Sequence, residues 1–332
     1  MRRQEWILKT ILVAGGAGFI GAHLCRRLST AGGNVICVDN LHTGRLSNIK
    51  DLVDSSKVSF IEFDVESPLI NNEKMDGLIG ETVDEIYNFA CPASPIHYQK
   101  NPIKTIRTNV IGTMNLLELA RRHQAKFFQA STSEVYGDPL VHPQNEYYWG
   151  NVNPIGIRAC YDEGKRCAEA LCMEFIRFYG VDVRIARIFN TYGPGMDPSD
   201  GRAVSNFITQ ALLTKSITIF GNGTQTRSFC YIDDMVDGIV RLMHYKGIIQ
   251  DPINLGNPEE YSILDVAKAV IESTGATSKI DFLPLPLDDP TKRKPDITLA
   301  NKLLNWAPKT NLREGLEKTW VAMAAELLDH RS

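Results

Sequence analysis

The 332-residue chain is 43% hydrophobic and 23% charged, the balance of a globular enzyme rather than of a disordered or collagen-like sequence. A net charge of −3 and a pI near 6.2 provide no basic field for nucleic acid, and no run of about eighteen apolar residues offers a membrane span. Seven cysteines without a C-x-x-C pair suit reduced, packed thiols in a cytoplasmic protein better than a disulfide framework or zinc site, and Met1 to Trp6 carries no apolar run of signal-peptide length.

Thr10 to Ala14 reads as a short buried strand, followed by Gly15-Gly16-Ala17-Gly18-Phe19-Ile20-Gly21 and a helical run from Ala22 to Leu28. Together they suit a pyrophosphate. Gly15 permits the tight turn, Gly18 lets the backbone approach and Gly21 allows close helix packing, while the helix N-terminus offers free N–H groups and a positive dipole end. The spacing is G-x-x-G-x-x-G, not the G-x-G-x-x-G of many dehydrogenases. Asn34 to Asp39 then reads as a strand ending in a carboxylate eighteen positions beyond Gly21. An acid there accepts hydrogen bonds from an adenosine ribose and repels a 2′-phosphate, which favours NAD over NADP.

A third strand is expected from Val58 to Val65, with Asp64 as an adenine-edge contact, and a fourth from Glu85 to Ala90. Pro102 to His123 has the pattern of one long helix, with Ile106, Val110, Met114, Leu117 and Ala120 on one side. Lys126 to Ala130 is the fifth strand and delivers Thr132 to its C-terminal end. Strands alternating with helices at this spacing imply an α/β fold, a parallel sheet covered on both faces whose ligands bind beyond the carboxyl ends of the strands.

Asp138 to Gly156 is a long linker holding Tyr147, Tyr148 and Trp149, and loops of that length are often functional. The helix Tyr161 to Tyr179 and the strand Val183 to Phe189 follow. On such a helix Tyr161 and Lys165 share one face, and a cation one turn away favours phenolate, pulling the tyrosine down from about 10. A hydroxyl from Thr132 can share the substrate proton. With eleven Tyr in the chain and Lys at roughly one position in twenty, chance supplies about half such a pair. The pair gains weight from its conjunction with the glycine turn. Cys160, beside Tyr161, is read as a packing residue.

Beyond Asn190 the alternation weakens. Phe207 to Leu213 looks helical, Ile217 to Phe220 like a strand and Gly221-Asn222-Gly223 like a turn; helices follow over Met235 to Tyr245, Leu264 to Ser273 and Leu312 to Leu328. Arg202, Arg227 and Arg293 are candidates for a diphosphate, since guanidinium forks suit paired oxygens.

Gly15-x-x-Gly18-x-x-Gly21 with Tyr161-x-x-x-Lys165 resembles the extended short-chain dehydrogenase/reductase family of nucleotide-sugar enzymes. Within it, three segments look like the UDP-glucuronate decarboxylase branch: Thr132 to Pro139, Tyr148 to Gly156, and Asp289 to Asp296. The resemblance covers nearly the whole chain from Lys9 onward. It implies a Rossmann-type doubly wound parallel sheet with a smaller C-terminal α/β substrate domain. The expected division is 1–189, with 231–256 returning to it, against 190–230 and 257–332.

The implied reaction converts UDP-glucuronate to UDP-xylose and carbon dioxide through a 4-ketone, with NAD regenerated each turnover. Tyr161 would act as base, Thr132 would share its hydrogen bond and Lys165 would hold the phenolate and the nicotinamide ribose. Glu134 and Arg293 are carried over as the decarboxylation pair, and Ser133, Asn190, Arg202, Val204, Arg227, Tyr231 and Arg293 as substrate contacts. Besides Tyr161 and Lys165, the positions expected to face the cofactor are Gly15, Gly18, Phe19, Ile20, Gly21, Asp39, Asn40, Thr43, Gly44, Asp64, Val65, Ala90 and Thr108. No metal is expected. The apolar faces of the helices Pro102 to His123 and Tyr161 to Tyr179 suggest a homodimer, since related enzymes pair them across a dimer axis.

Two departures stand out. Some members carry an N-terminal membrane anchor, whereas this chain starts almost at the first strand, and Ala159 stands where close relatives have a serine. The nearest rival activity is a nucleotide-sugar 4,6-dehydratase, whose chemistry needs a carboxylic acid where Ser133 stands. A 4-epimerase is next, with no evident use for Arg293. A non-catalytic NAD-sensing module would keep the glycine turn and Asp39 but has no need of Thr132, Tyr161 and Lys165 together.

Overall fold

The computed structural model describes residues 9–79, 82–249, 251–285 and 292–329. Met1 to Trp6 and, within the third resemblance segment, Asp289 to Thr291 lie outside them. Seven parallel strands form one sheet, in the order Ile253–Leu255, Val183–Ile188, Lys126–Thr132, Glu85–Asn88, Thr10–Ala14, Asn34–Asp39 and Val58–Glu62. The order reverses at Thr10–Ala14, so a crevice opens beside that strand's carboxyl end.

The strands are apolar throughout because both faces are covered. Ile11, Val13, Val35 and Cys37 enter one core; Leu12, Ala14, Ile36 and Val38, the alternate positions, enter the other. The first face is closed by helices Phe19–Thr30 and Ile232–Met243, which pack on each other. The second is closed by Thr113–His123 and Ala159–Tyr179.

Several boundaries differ from those expected, for local reasons. The third strand ends at Glu62 rather than Val65, since the Asp64 carboxylate accepts from its own downstream N–H at Glu66, 3.0 Å away, and turns the chain. The fourth ends at Asn88 because its amide oxygen accepts from the Ala90 N–H at 3.1 Å. The fifth runs on to Thr132, still paired with Ile188. Pro102 to His123 is helical throughout but passes through a π-helical turn at Thr108–Gly112, a feature frequent at functional sites.

Sequence reading missed the short helix Pro95–Lys100, the strand Ile253–Leu255 and the helix Thr298–Leu304. Three small sheets lie apart from the main one among the described residues, one of them the short pair Thr191–Tyr192 with Cys230–Tyr231. Thr226–Ser228 pairs with Glu260–Ser262 on one side and Lys292–Arg293 on the other, and Ile217–Phe220 pairs with Ile280–Leu283. None of the described helices is long and apolar enough to cross a membrane.

Candidate active site

A cavity of about 620 Å³ lies across the carboxyl ends of the strands. At one end the glycine turn forms its wall. Gly15 has φ +75°, and a Cβ there would lie 2.6 Å from the Phe89 carbonyl carbon, so no other residue fits. A Cβ on Gly21 would fall 2.2 Å from the Gly15 oxygen, so only a glycine lets the helix press against the turn. No side chain caps that helix, and Gly18, Phe19, Ile20 and Gly21 all line the cavity. Backbone N–H groups and the helix dipole thus make an anion cradle.

Asp39 sits beside the cradle. Its carboxylate accepts from the Ala17 N–H at 3.0 Å and the Leu41 N–H at 2.8 Å, and each oxygen keeps lone pairs for a ligand hydroxyl. Burial pushes this carboxyl above its ordinary range, against the pull of those N–H groups. Gly44 lies against it: a Cβ would stand 2.8 Å from both oxygens. Asn40, Thr43, Val65, Ala90 and Thr108 line the same end. A turn only glycine can make and a carboxylate at ribose distance in sequence fit a dinucleotide, with Asp39 set against a 2′-phosphate.

Asp64 does not line the cavity. Its Oδ2 is paired with Lys104 and accepts from Asn40 Nδ2 at 3.1 Å. Burial works against the charge, yet Lys104, the Glu66 N–H and Asn40 hold the carboxyl below its usual range. Its partner Lys104 lines the cavity.

At the other end stand Thr132, Tyr161 and Lys165. Thr132 closes the fifth strand, and its hydroxyl accepts from the Glu134 N–H at 3.2 Å, capping the 3-10 turn Ser133–Tyr136. Tyr161 is in the first turn of Ala159–Tyr179 and stacks on Tyr98, ring centres 4.9 Å apart. Lys165 donates to the Ala130 carbonyl at 2.8 Å and lies 5.9 Å from the Tyr161 ring centre. Cys160 is buried with Tyr98 and Tyr161.

The expected downward pull on Tyr161 is not found in the protein alone. Burial pushes the phenol well above 10, with a further push from Cys91, and the Thr132 hydrogen bond only opposes this. Burial also lowers Lys165. An ammonium that has itself lost its water, and that is spent on a carbonyl, does not outweigh the desolvation of the phenol.

Glu134 lines the cavity between two guanidinium groups. Arg158 Nη2 is 2.5 Å and Arg293 Nη2 3.2 Å from its Oε2, and Arg293 Nη1 donates to the Ser133 carbonyl. Burial opposes the charge, but Arg293, Arg158 and Arg227 together hold Glu134 down at about 2. Arg293 is only 1% exposed and does not line the cavity. Its expected part as a direct substrate contact is therefore corrected: it sits behind Glu134, and of the two guanidinium groups on Glu134 Oε2 only that of Arg158 lines the cavity.

Ser133, Asn190, Arg202 and Arg227 line the cavity as expected. Arg202 pairs with Asp200 and lies over the Phe19 ring. Val204 and Tyr231 do not; both are buried in the main core, Tyr231 edge-on to Tyr192. Sequence reading missed Arg158, Tyr98, Lys104 and Asp162. Arg158 and Asp162 carried a usable signal, standing three residues before and one after Tyr161 on its own helix turn.

Residues 11–256 match the family model described as "NAD dependent epimerase/dehydratase family". The chain belongs to that family. Among this family's curated members, UDP-glucuronic acid decarboxylase 4 of Arabidopsis thaliana is 54% identical over 306 residues, 92% of this chain and 66% of the relative. This chain thus spans about two thirds of that relative's length. UDP-glucuronic acid decarboxylase 1 of Danio rerio is 51% identical over 319 residues, covering 96% of this chain and 73% of the relative. Among solved structures of the family, UDP-glucuronic acid 4-epimerase from Bacillus cereus, in complex with UDP-glucuronic acid and NAD, matches with TM-score 0.85 at 31% identity. The match covers 96% of this chain and 99% of that one. An epimerase from Methanothermobacter thermautotrophicus matches with TM-score 0.90 at 28% identity, covering 99% and 96%.

Proposed function

We propose that this protein decarboxylates UDP-glucuronate to UDP-xylose, with NAD as a cofactor regenerated in each turnover. The observation that carries the reading is the juxtaposition in one cavity of Thr132, Tyr161 and Lys165 with Glu134 and its arginines. The identity of about half to relatives named for this activity supports it.

NAD supplies the oxidation at C4 and its reversal. Tyr161 must enter the step as phenolate, against the burial that favours its phenol; it then takes the C4 hydroxyl proton and later gives it back, Thr132 shares that hydrogen bond, and Lys165 orients the phenolic oxygen. A 4-ketone is β to the sugar carboxylate, so the bond between C5 and the carboxylate carbon breaks with its electrons drawn toward the ketone oxygen. Arg158 lies where a sugar carboxylate can be met by a cation, and Arg293 steadies Glu134 from behind. Asp39 and the glycine turn hold the dinucleotide, and Ser133, Asn190, Arg202 and Arg227 the substrate.

We also read the protein as a cytoplasmic homodimer. Ile103 and Phe178, 67% and 79% exposed, stand with Met114 and Tyr179 on the two helices expected to pair, and all seven cysteines are free, as a reducing compartment requires.

The test is to offer UDP-glucuronate, UDP-glucose and dTDP-glucose with NAD and identify the products by mass spectrometry. Carbon dioxide and a UDP-pentose from UDP-glucuronate alone are expected. A mass-neutral C4 epimer would make it an epimerase like the Bacillus cereus neighbour, and loss of water from dTDP-glucose a dehydratase; either result overturns the reading.

A further inference from the structure

Decarboxylation of UDP-glucuronate, the reading on which this inference rests, leaves a proton deficit that the residues described so far do not fill. The proton Tyr161 takes from the C4 hydroxyl is the one it returns. Loss of carbon dioxide leaves the electron pair of the broken bond on the sugar as an enolate, and C5 then forms a new C–H bond. Each turnover therefore consumes one proton. Glu134, which faces the cavity, is kept ionised by its arginines, and guanidinium groups do not give up theirs.

One carboxyl beside this cluster is built differently. Asp162 follows Tyr161 on the helix Ala159–Tyr179, and its N–H donates to the Arg158 carbonyl at 3.1 Å. It is 6% exposed. Its Oδ1 is sealed from solvent and has no hydrogen-bond partner among the described residues, and its Oδ2 lies 4.0 Å from Arg158 Nε. A carboxylate with a bare, dry oxygen is costly, and the neutral acid relieves most of that cost. The same Arg158 side chain touches Glu134 at 2.5 Å, so the two carboxyls flank one guanidinium.

We propose that Asp162 stores the proton that C5 takes up after carbon dioxide leaves, and that it reaches the sugar through Glu134. As the enolate forms, Asp162 passes its proton to the Glu134 carboxylate, which hands it on to C5 as the new C–H bond forms and is left ionised again, and solvent reprotonates Asp162 between turnovers. Nothing is oxidised or reduced in the step.

The neighbours of Asp162 agree with this role. Burial and then Glu134 push it up to about 7, with Glu163 adding to the rise and Arg158 and Arg293 opposing it. Tyr98, from the helix Pro95–Lys100, and Cys160 also feel its charge, and burial pushes both upward, so neither competes as donor or acceptor near neutrality. The store is full below about 7 and empties above it.

The experiment is a single turnover of the NAD-loaded enzyme on UDP-glucuronate, with carbon dioxide and UDP-xylose quantified separately from about pH 6 to about pH 9. In the wild type, product formation is expected to fall roughly tenfold per pH unit above the Asp162 transition. Asp162→Asn should still release carbon dioxide in its first turnover but form UDP-xylose roughly a hundredfold more slowly, with that pH limb gone. Asp162→Glu should restore a limb. Matched wild-type and Asp162→Asn product rates and pH profiles would overturn the proposal. A variant that binds NAD yet releases no carbon dioxide would overturn it too, since Asp162 would then serve an earlier step or the structure. If the wild type itself releases none, the decarboxylase reading fails and the store falls with it.

Discussion

The charge cluster around Glu134 makes a prediction whose size follows from the structure. Glu134 is held at about 2 against an ordinary 4.5, so the folded state gains on the order of 3 kcal/mol from keeping it ionised. Burial opposes that gain, so the attraction itself is larger, and Arg293 is its strongest source. A double-mutant cycle of Arg293→Met with Glu134→Gln should therefore give a coupling of about 2–3 kcal/mol at neutral pH. The assay is urea unfolding of the NAD-free protein, comparing wild type, both single variants and the double. Because the folded carboxyl is depressed, its contribution is complete above the unfolded value of 4.5 and is lost as pH falls toward about 2. The wild type's advantage over Arg293→Met should narrow in that window. A neutral-pH coupling below about 0.5 kcal/mol, the level of a surface pair, would refute this account.

Other outcomes are equally specific. Tyr161→Phe should lower kcat by at least about a thousandfold while calorimetric NAD affinity stays within a few-fold of wild type, because the phenyl ring keeps its stacking on Tyr98. Asp39→Ala strands the buried Ala17 N–H and the half-buried Leu41 N–H and removes the ribose acceptor, so NAD affinity should fall by roughly 10- to 100-fold, again by calorimetry. Gly21→Ala, whose Cβ would meet the Gly15 oxygen at 2.2 Å, should destabilise by about 1–3 kcal/mol in urea unfolding and weaken NAD binding with it. Trp306→Ala, which empties a buried site and leaves the Asp234 carbonyl without its indole donor, should cost about 3–5 kcal/mol by the same measure.

The parallel sheet was legible because both of its faces are buried, which writes each strand as an apolar run and punctuates the runs with glycine or a carboxylate. Strand ends were harder to read: at Asp64 and Asn88 a side chain curls onto its own backbone, and nothing in periodicity announces that. The catalytic group was legible in so far as its members are local, as Tyr161 and Lys165 are. The ion pair of Asp64 with Lys104, forty positions away, could not be read from spacing, and the downward pull expected on Tyr161 failed because a spacing rule carries the cation but not the dielectric around it. Arg158 and Asp162 sat in plain view. Their meaning depended on a carboxylate from another element, Glu134, that only the fold brings to them.

The two-residue strand Lys292–Arg293, pinned to Thr226–Ser228 in a minor sheet, bridges a sequence separation of 159 residues to meet Glu134. A nascent polypeptide therefore has its glycine turn, Asp39 and Tyr161 out of the ribosome long before the last guanidinium emerges. Until then Glu134 lacks the strongest of the charges that hold it ionised.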